Sequence, residues 1–552
     1  MRFITRMGVL VMLLVAMTGV SAEERTRQSS VDDTNGRPGL TRALADESSL
    51  LQAFYGQRDH RPAWQDEETV AGLVSTLRAL EEDGLTPEDY RPDDIEAEYR
   101  SVRDEDAVSE RQIRYELFAS RMLFTALEHL QRGKVDPKAL SADWEVPVEA
   151  PDLDLAAISD AIDQQRFERI LEEARPPYTP YQRLREGLAR YRDIERQGGW
   201  ERLPERDGAL RVGDVDDDVV RLRERLAVAS MLESGTTGDG GEGNRVTDNG
   251  AASGQAREAA DPRRFDSDLE AAVRRFQRRH LLEPDGIVGR QTRAALNVPV
   301  ERRIDQIRLN MERARWLLHG LPEAFVLVDI AGYELSYYRP DGEIWRSRIV
   351  VGQPYRRTPS LRSEITHMTV NPTWTIPPTI LRQDVLPAVR RDLGYLWRER
   401  IQVLSPSGQP LDPWRVDWDN PGNIVLRQAP GPQNALGLLA IRFPNDHMVY
   451  LHDTPAQGIF SRYQRAFSSG CIRVENIREL ARLLFDDTDS DQDIDARIDS
   501  GETRNVSLAN RMPVILHYWT VNPDDDGALS FRPDIYERDD ELLRALDRPL
   551  AL

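Results

Sequence analysis

Phe467-Ser-Ser-Gly-Cys-Ile-Arg-Val-Glu-Asn476, preceded by Tyr450-Leu-His-Asp-Thr454, holds the one cysteine of a 552-residue chain, Cys471. Acyl transfer by a thiol makes plain demands on its surroundings. The thiolate is the nucleophile, so its proton must pass to a nearby base or its pKa must fall. The tetrahedral oxygen needs donors, which consecutive backbone N–H groups supply. Gly470, just before Cys471, permits a sharp turn and close approach of substrate. The N–H groups of Gly470 and Cys471 are the candidate oxyanion donors. His452 ends a strand-like run and is the natural base, although spacing alone does not bring it to Cys471. Asp453 or a backbone carbonyl can orient its ring. Val474–Leu484 reads as a helix, which puts Cys471 near a helix N-terminus whose dipole favours thiolate.

Outward from this stretch, residues 323–522 read as a β-rich domain. Phe325–Ile330, Glu334–Tyr338, Ser347–Val351, Glu364–Val370, Met448–His452 and Val514–Val521 are short runs rich in β-branched and aromatic residues. Between Trp374 and Met448 lies a Pro-, Gly- and charge-rich segment, with a helix expected within Asp384–Arg400. So long a connection is usually functional, and 379–436 reads as a lid. The tail 523–552 is acidic, with Phe531–Tyr536 as a docked turn or strand.

The N-terminal half is helical. In 49–204, Leu73, Leu77 and Leu80 share one face, and Leu117, Met122, Leu123, Leu127 and Leu130 mark another helix. Thr86-Pro87 reads as an N-cap and first helical position. Residues 205–298 read as a small helical module. Its first stripe is Val219, Leu222 and Leu226, and its second Leu269, Val273, Phe276 and His280. The Gly/Ser/Thr/Asn-rich segment 234–262 interrupts it and is expected to be disordered. Residues 299–322 form a linking amphipathic helix that packs back on the scaffold.

At the N-terminus, Arg2 and Arg6, the apolar run Gly8–Val20 and the small residues Val20-Ser21-Ala22 read as a secretory signal, 1–22, followed by a polar linker, 23–48. An uncleaved signal would instead tether the chain to the membrane. The expected location is the periplasm. In an exported chain a lone cysteine is either buried and inert or a working thiol. The net charge of −21, from 73 basic and 94 acidic residues, argues against a nucleic-acid partner. His447, His452 and Cys471 do not form a familiar zinc spacing. Neither a metal nor another cofactor is expected.

The His452 motif followed by Ser-Ser-Gly-Cys471 resembles the L,D-transpeptidase catalytic domain, the YkuD fold. Val273–Gln277, Asp285–Gly289, Thr292 and Ala295-Leu296 resemble a three-helix peptidoglycan-binding domain, with Leu281 where that family often has Gly. The alternative is a packing module that has lost its ligand. The whole layout of scaffold, inserted module and lid resembles the YcbB-like subgroup, which is similar in having Ser before Gly-Cys. The implied protein is an α+β multidomain enzyme. The resemblance implies that Cys471 attacks the carbonyl between diaminopimelate and D-Ala of a tetrapeptide stem, and that a second stem's amine resolves the thioester into a 3→3 cross-link. It also implies carbapenem sensitivity. His452 would be the base. Arg473 would bind a stem carboxylate or form a structural ion pair. Trp374 and Tyr450 would line the donor site or pack in the core, and Ser469 completes the substrate-side candidates. Hydrolysis of the thioester, lipoprotein attachment and non-catalytic wall binding are the competing readings.

Overall fold

In this computed structural model, residues 37–105, 109–140, 144–148, 152–228, 261–490, 492–524 and 527–550 are described. The expected signal, most of the following linker and nearly all of the 234–262 insertion lie outside them.

The chain divides into two compact units. The first comprises Met1–Arg78, Tyr90–Ala126 and Leu153–Glu173. Its helices bury Leu51, Phe54, Tyr55, Leu73, Leu77, Ile95 and Leu123. Glu116 lies inside this core, accepting from the Tyr55 hydroxyl at 2.7 Å and from the Ala63 and Trp64 N–H groups at 2.5 and 3.2 Å. Burial pushes its carboxyl up.

The second unit comprises Ala79–Asp89, Leu127–Asp152 and Ala174–Leu552. Thr86-Pro87 opens a 3₁₀ turn, Pro87–Tyr90, rather than a full helix. The helices Asp217–Val228, Ser267–Arg279 and Arg290–Leu296 close on Leu222, Leu226, Phe265, Leu269, Val273, Phe276 and Val288. Gln277 is buried there. Its amide donates to Asp285, Ile287 and Thr292, and its carbonyl accepts from the Gly286 N–H at 2.9 Å. Leu281 holds φ +51°, the left-handed region that glycine adopts without strain. The helix Val300–Leu317 is buried along much of its length and carries an ion pair, Glu312–Arg315, at 2.6 Å with both side chains fully buried. Arg315 also donates to the Tyr181 hydroxyl.

Fifteen strands are described in this unit: β1 Trp144–Glu145, β2 Phe325–Asp329, β3 Glu334–Tyr338, β4 Ile344–Gly352, β5 Ser360–Val370, β6 Trp374–Thr375, β7 Ile401–Leu404, β8 Val425–Gln428, β9 Leu439–Arg442, β10 Leu451–His452, β11 Ala466–Ser468, β12 Ile472–Val474, β13 Arg504–His517, β14 Val521–Pro523 and β15 Leu529–Phe531. The main sheet runs β1-β5-β13-β2-β3-β4-β12-β10-β9, with β11 added beside β4. Because β9 also pairs with β5, the sheet closes on itself and leaves few free edges. Val326, Val328, Leu335, Tyr337, Leu451, Ile472 and Val474 alternate into its interior, where Leu480, Ala481 and Leu484 of the helix Ile477–Asp487 meet them.

The segment expected to be a lid is a folded insertion. Strands β6, β8 and β7 form a separate three-stranded sheet. Val385, Val389, Leu396, Val403 and Leu426 build its own small core. In the acidic C-terminal stretch β14 and β15 pair and Tyr536 is fully buried, and a helix the sequence did not suggest, Asp539–Leu546, follows.

Candidate active site

Strands β10 and β12 run parallel, with Leu451 opposite Ile472 and His452 opposite Arg473. The Tyr450 carbonyl accepts the Ile472 N–H at 3.1 Å. Side chains alternate along each strand. Leu451, Ile472 and Val474 point into the core, so Tyr450, His452, Cys471 and Arg473 share the opposite face. On the next strand Ala440 stands opposite His452. Arg442 lies 3.8 Å over the Tyr450 ring. The two motifs quoted first, separated in sequence, thus become neighbours through one strand pairing.

Cys471 does not sit at a helix N-terminus. It immediately precedes β12, and the helix begins only at Ile477, after Asn476 in a left-handed conformation (φ +54°). Ile472-Arg473-Val474 alternates apolar and polar with β-branched ends, and pairing with β10 on one side and β4 on the other makes it a strand. The dipole therefore does not lower the thiol. Burial pushes Cys471 above its usual value, outweighing hydrogen bonds from the Tyr450 N–H and hydroxyl and the charges of Arg442 and Arg473. Cys471 Sγ lies 3.9 Å from the Met448 carbonyl oxygen.

His452 is buried, and burial with the Arg473 charge pushes it down to about 3. Its Nδ1 lies 2.5 Å from the Asp453 carbonyl oxygen. A carbonyl only accepts, so Nδ1 carries the proton and Nε2 keeps its lone pair. The Asp453 carboxylate is occupied elsewhere, accepting from the Leu438 and Thr454 N–H groups at 3.0 and 2.7 Å. The backbone carbonyl, not the carboxylate, orients the ring.

Gly470 has φ +113°, a conformation that L side chains rarely adopt. Its N–H is not a free oxyanion donor, because it donates to Ser468 Oγ at 3.1 Å. Ser468 Oγ in turn donates to the Cys471 carbonyl at 2.5 Å. The Gly470 carbonyl accepts from Thr358 Oγ1 at 2.8 Å. The turn is held by its own side chains, and the Cys471 N–H has no hydrogen-bond partner among the described residues.

Ser469 is exposed, and its Oγ accepts from Arg356 at 2.7 Å. Arg473 is half-buried, its Nε is sealed from solvent without a partner, and no carboxylate pairs with it among the described residues. Trp374 pairs with Gln428 in the insertion's sheet and packs on that small core. His447 lies 3.1 Å from Glu145. Among the described residues no cluster of His, Cys, Asp and Glu is arranged to hold a metal. Sequence reading missed Ser468, Thr358, Arg356 and Arg442. Only Ser468 lay within the quoted motif, and period-two alternation from Ser468 would have turned it inward. A cavity of about 790 Å³ lies against β2, β3 and β13 beside Phe325, Leu327 and His517, and neither Cys471 nor His452 lines it.

Set against known families, residues 323–490 match the L,D-transpeptidase catalytic domain (YkuD), 251–296 a "Putative peptidoglycan binding domain" and 49–188 a "Scaffold domain". A Haemophilus influenzae protein named "Putative L,D-transpeptidase" is 34% identical over 221 residues, covering 39% of this chain and 45% of that protein. The match thus spans less than half of that relative. A solved structure titled "Structure of the Ldtfm-avibactam carbamoyl enzyme" aligns over 36% of this chain and 49% of its own, at 12% identity and a TM-score of 0.19. An L,D-transpeptidase from Mycobacterium smegmatis aligns over 35% and 58%, at 16% identity and the same TM-score of 0.19. At that score neither structure bears on the fold, which rests on the strand pairing and the family match.

Proposed function

We propose that the chain, which matches an L,D-transpeptidase catalytic domain beside peptidoglycan-binding and scaffold domains, joins peptidoglycan stem peptides by 3→3 cross-links through a thioester on Cys471. The observation that carries this reading is the β10–β12 pairing, which puts His452, with a free Nε2, on the same strand face as Cys471.

Both groups start neutral. As Sγ attacks the carbonyl between diaminopimelate and D-Ala, the thiol proton passes to His452 Nε2, and the Cys471 N–H is free to donate to the developing oxyanion. Collapse expels D-Ala, whose amine takes that proton, and leaves the thioester. The side-chain amine of a second stem attacks next, gives a proton to His452 and releases the thiol. Arg473, without a carboxylate of its own, supports binding of a stem carboxylate. Tyr450, Ser469 and Trp374 complete the donor side of the site in this reading, which also makes the enzyme a target for carbapenem acylation.

The peptidoglycan-related domains indicate an extracytoplasmic location. We place the protein in the periplasm, exported by residues 1–22. Among the described residues no helix is long and apolar enough to cross a membrane.

The test is incubation of purified tetrapeptide muropeptides with wild type and Cys471→Ala, read by mass spectrometry. The expected result is 3→3 dimers with wild type and none with the variant, at unchanged circular dichroism. Dimers from the variant would overturn the mechanism. Tripeptides without dimers from wild type would mean that water is the acceptor.

A further inference from the structure

Arg356 lies outside both motifs, in the turn between β4 and β5, and three of its contacts meet at one guanidinium. Nη1 donates to Ser469 Oγ at 2.7 Å and to Asp384 Oδ2 at 2.7 Å, and Nη2 donates to Gln383 Oε1 at 2.6 Å. Ser469 is two residues before the nucleophile. Gln383 and Asp384 belong to the insertion, within the π-helical turn Leu381–Val385. Such turns are rare and often mark functional positions.

The turn that carries Arg356 is bound firmly to the nucleophile loop. Gln353 donates from its N–H to the Ser468 carbonyl at 3.0 Å and from its side chain to the Phe467 carbonyl at 3.1 Å. Thr358 Oγ1 donates to the Gly470 carbonyl. Gly352 closes the turn so tightly that a Cβ there would stand 2.1 Å from the Arg356 carbonyl oxygen. Residues 352–358 and 467–471 therefore behave as one body. The insertion is joined to that body differently. Its three-stranded sheet shares no ladder with the main sheet. Among the described residues, every hydrogen bond or ion pair linking 378–428 to the chain outside 374–436 is made by Arg356.

We infer that Arg356 is a positioning residue that couples the seating of the insertion to the geometry of the Ser469-Gly470-Cys471 turn. With the insertion docked, one guanidinium holds Asp384 and Ser469 together. When the insertion swings away, Arg356 loses Asp384 and Gln383, the two partners that hold its guanidinium against Ser469, and the turn bearing Cys471 loosens. The planar fork matters, because it serves three acceptors at once where an ammonium is a point charge. The consequence for catalysis rests on the thiol-acylation reading above.

The experiment uses the full chain with Arg356→Met, Arg356→Lys and Asp384→Asn. Hydrogen exchange is followed at 378–391, and acylation of Cys471 by a carbapenem is followed by intact mass, resolved into the inactivator's binding constant and its limiting rate. Arg356→Met is expected to speed exchange at 381–385 and lower the limiting rate about tenfold, the scale of one lost charge-assisted hydrogen bond, with the melting temperature unchanged. Arg356→Lys should recover part of that rate. Asp384→Asn, a half-exposed change that does not threaten folding, should move both readouts in the same direction. Unaltered exchange in both Arg356→Met and Asp384→Asn would overturn the coupling. So would a rate loss in Arg356→Met matched by an equal fall in melting temperature and not shared by Asp384→Asn. Wild type that takes up no carbapenem would instead fail the acylation reading, and the exchange arm would still decide the coupling.

Discussion

Cys471 and His452 are both held neutral by burial, the thiol above its usual value and the imidazole down to about 3. A resting thiolate–imidazolium pair would react with alkylating agents at a rate that levels off near neutral pH. A neutral pair behaves otherwise, because thiolate accumulates only as pH climbs towards the raised thiol pKa. The rate of iodoacetamide labelling at Cys471 should therefore keep rising from pH 6 past pH 9, and a plateau between pH 6 and 8 would contradict this. Tyr450 belongs at the same scale. Its hydroxyl hydrogen-bonds the sulfur and favours the thiolate, so Tyr450→Phe should slow labelling at pH 8 by roughly fivefold, about 1 kcal/mol, and move the rise to higher pH. If labelling of Tyr450→Phe tracks wild type at every pH, the hydroxyl does not touch the sulfur in solution.

Single elements were legible in proportion to how local their signal is. The runs Phe325–Ile330, Glu334–Tyr338 and Ser347–Val351 read as strands, and they are β2, β3 and the end of β4. The periodic runs around Leu222, Phe276 and Met311 read as helices, and they are. Strand β12 was swallowed by the helical pattern behind it, since three residues carry too little alternation to compete with eleven. Strand β9 lay hidden in the Pro- and Gly-rich segment. Within the segment read as a lid, only a helix in Asp384–Arg400 was legible; its separate sheet and core were not, because that core is divided among short pieces, Val385, Val389, Leu396 and Leu426, none long enough to show a period. That core makes a prediction. Leu426→Ala should cost about 2–5 kcal/mol within the insertion. Because 378–428 makes no ladder to the main sheet, hydrogen exchange should accelerate across 378–428 and leave β2, β3 and β13 protected. Acceleration throughout the main sheet would show that the insertion is not a separate cooperative unit.

At the scale of the whole chain, the nucleophile loop is completed by segments far from it in sequence, and no local reading reaches them. Arg356 and Thr358 bond residues 113 and 112 positions away. The C-terminal stretch reaches further still. The Tyr536 hydroxyl donates to the Gly352 carbonyl at 2.8 Å, 184 residues off, and accepts from the Thr358 N–H at 3.0 Å. The sequence read that stretch as an acidic tail with Phe531–Tyr536 docked, but not where it docks: the Tyr536 phenol braces the turn that braces Gly470. Tyr536→Phe keeps the ring and removes only the hydroxyl, leaving a buried N–H and a buried carbonyl without their partner. The cost should be about 1–3 kcal/mol, seen as a lower melting temperature. The loss should extend to function. Once Gly352 and Thr358 are released, Thr358 Oγ1 no longer holds the Gly470 carbonyl in register, so thiol acylation should slow even at temperatures where the variant is fully folded. Tyr355→Phe, in the same turn but 75% exposed, is the control and should change neither measurement. A Tyr536→Phe variant that melts lower yet acylates at the wild-type rate would show that the C-terminal segment stabilises the domain without shaping the site.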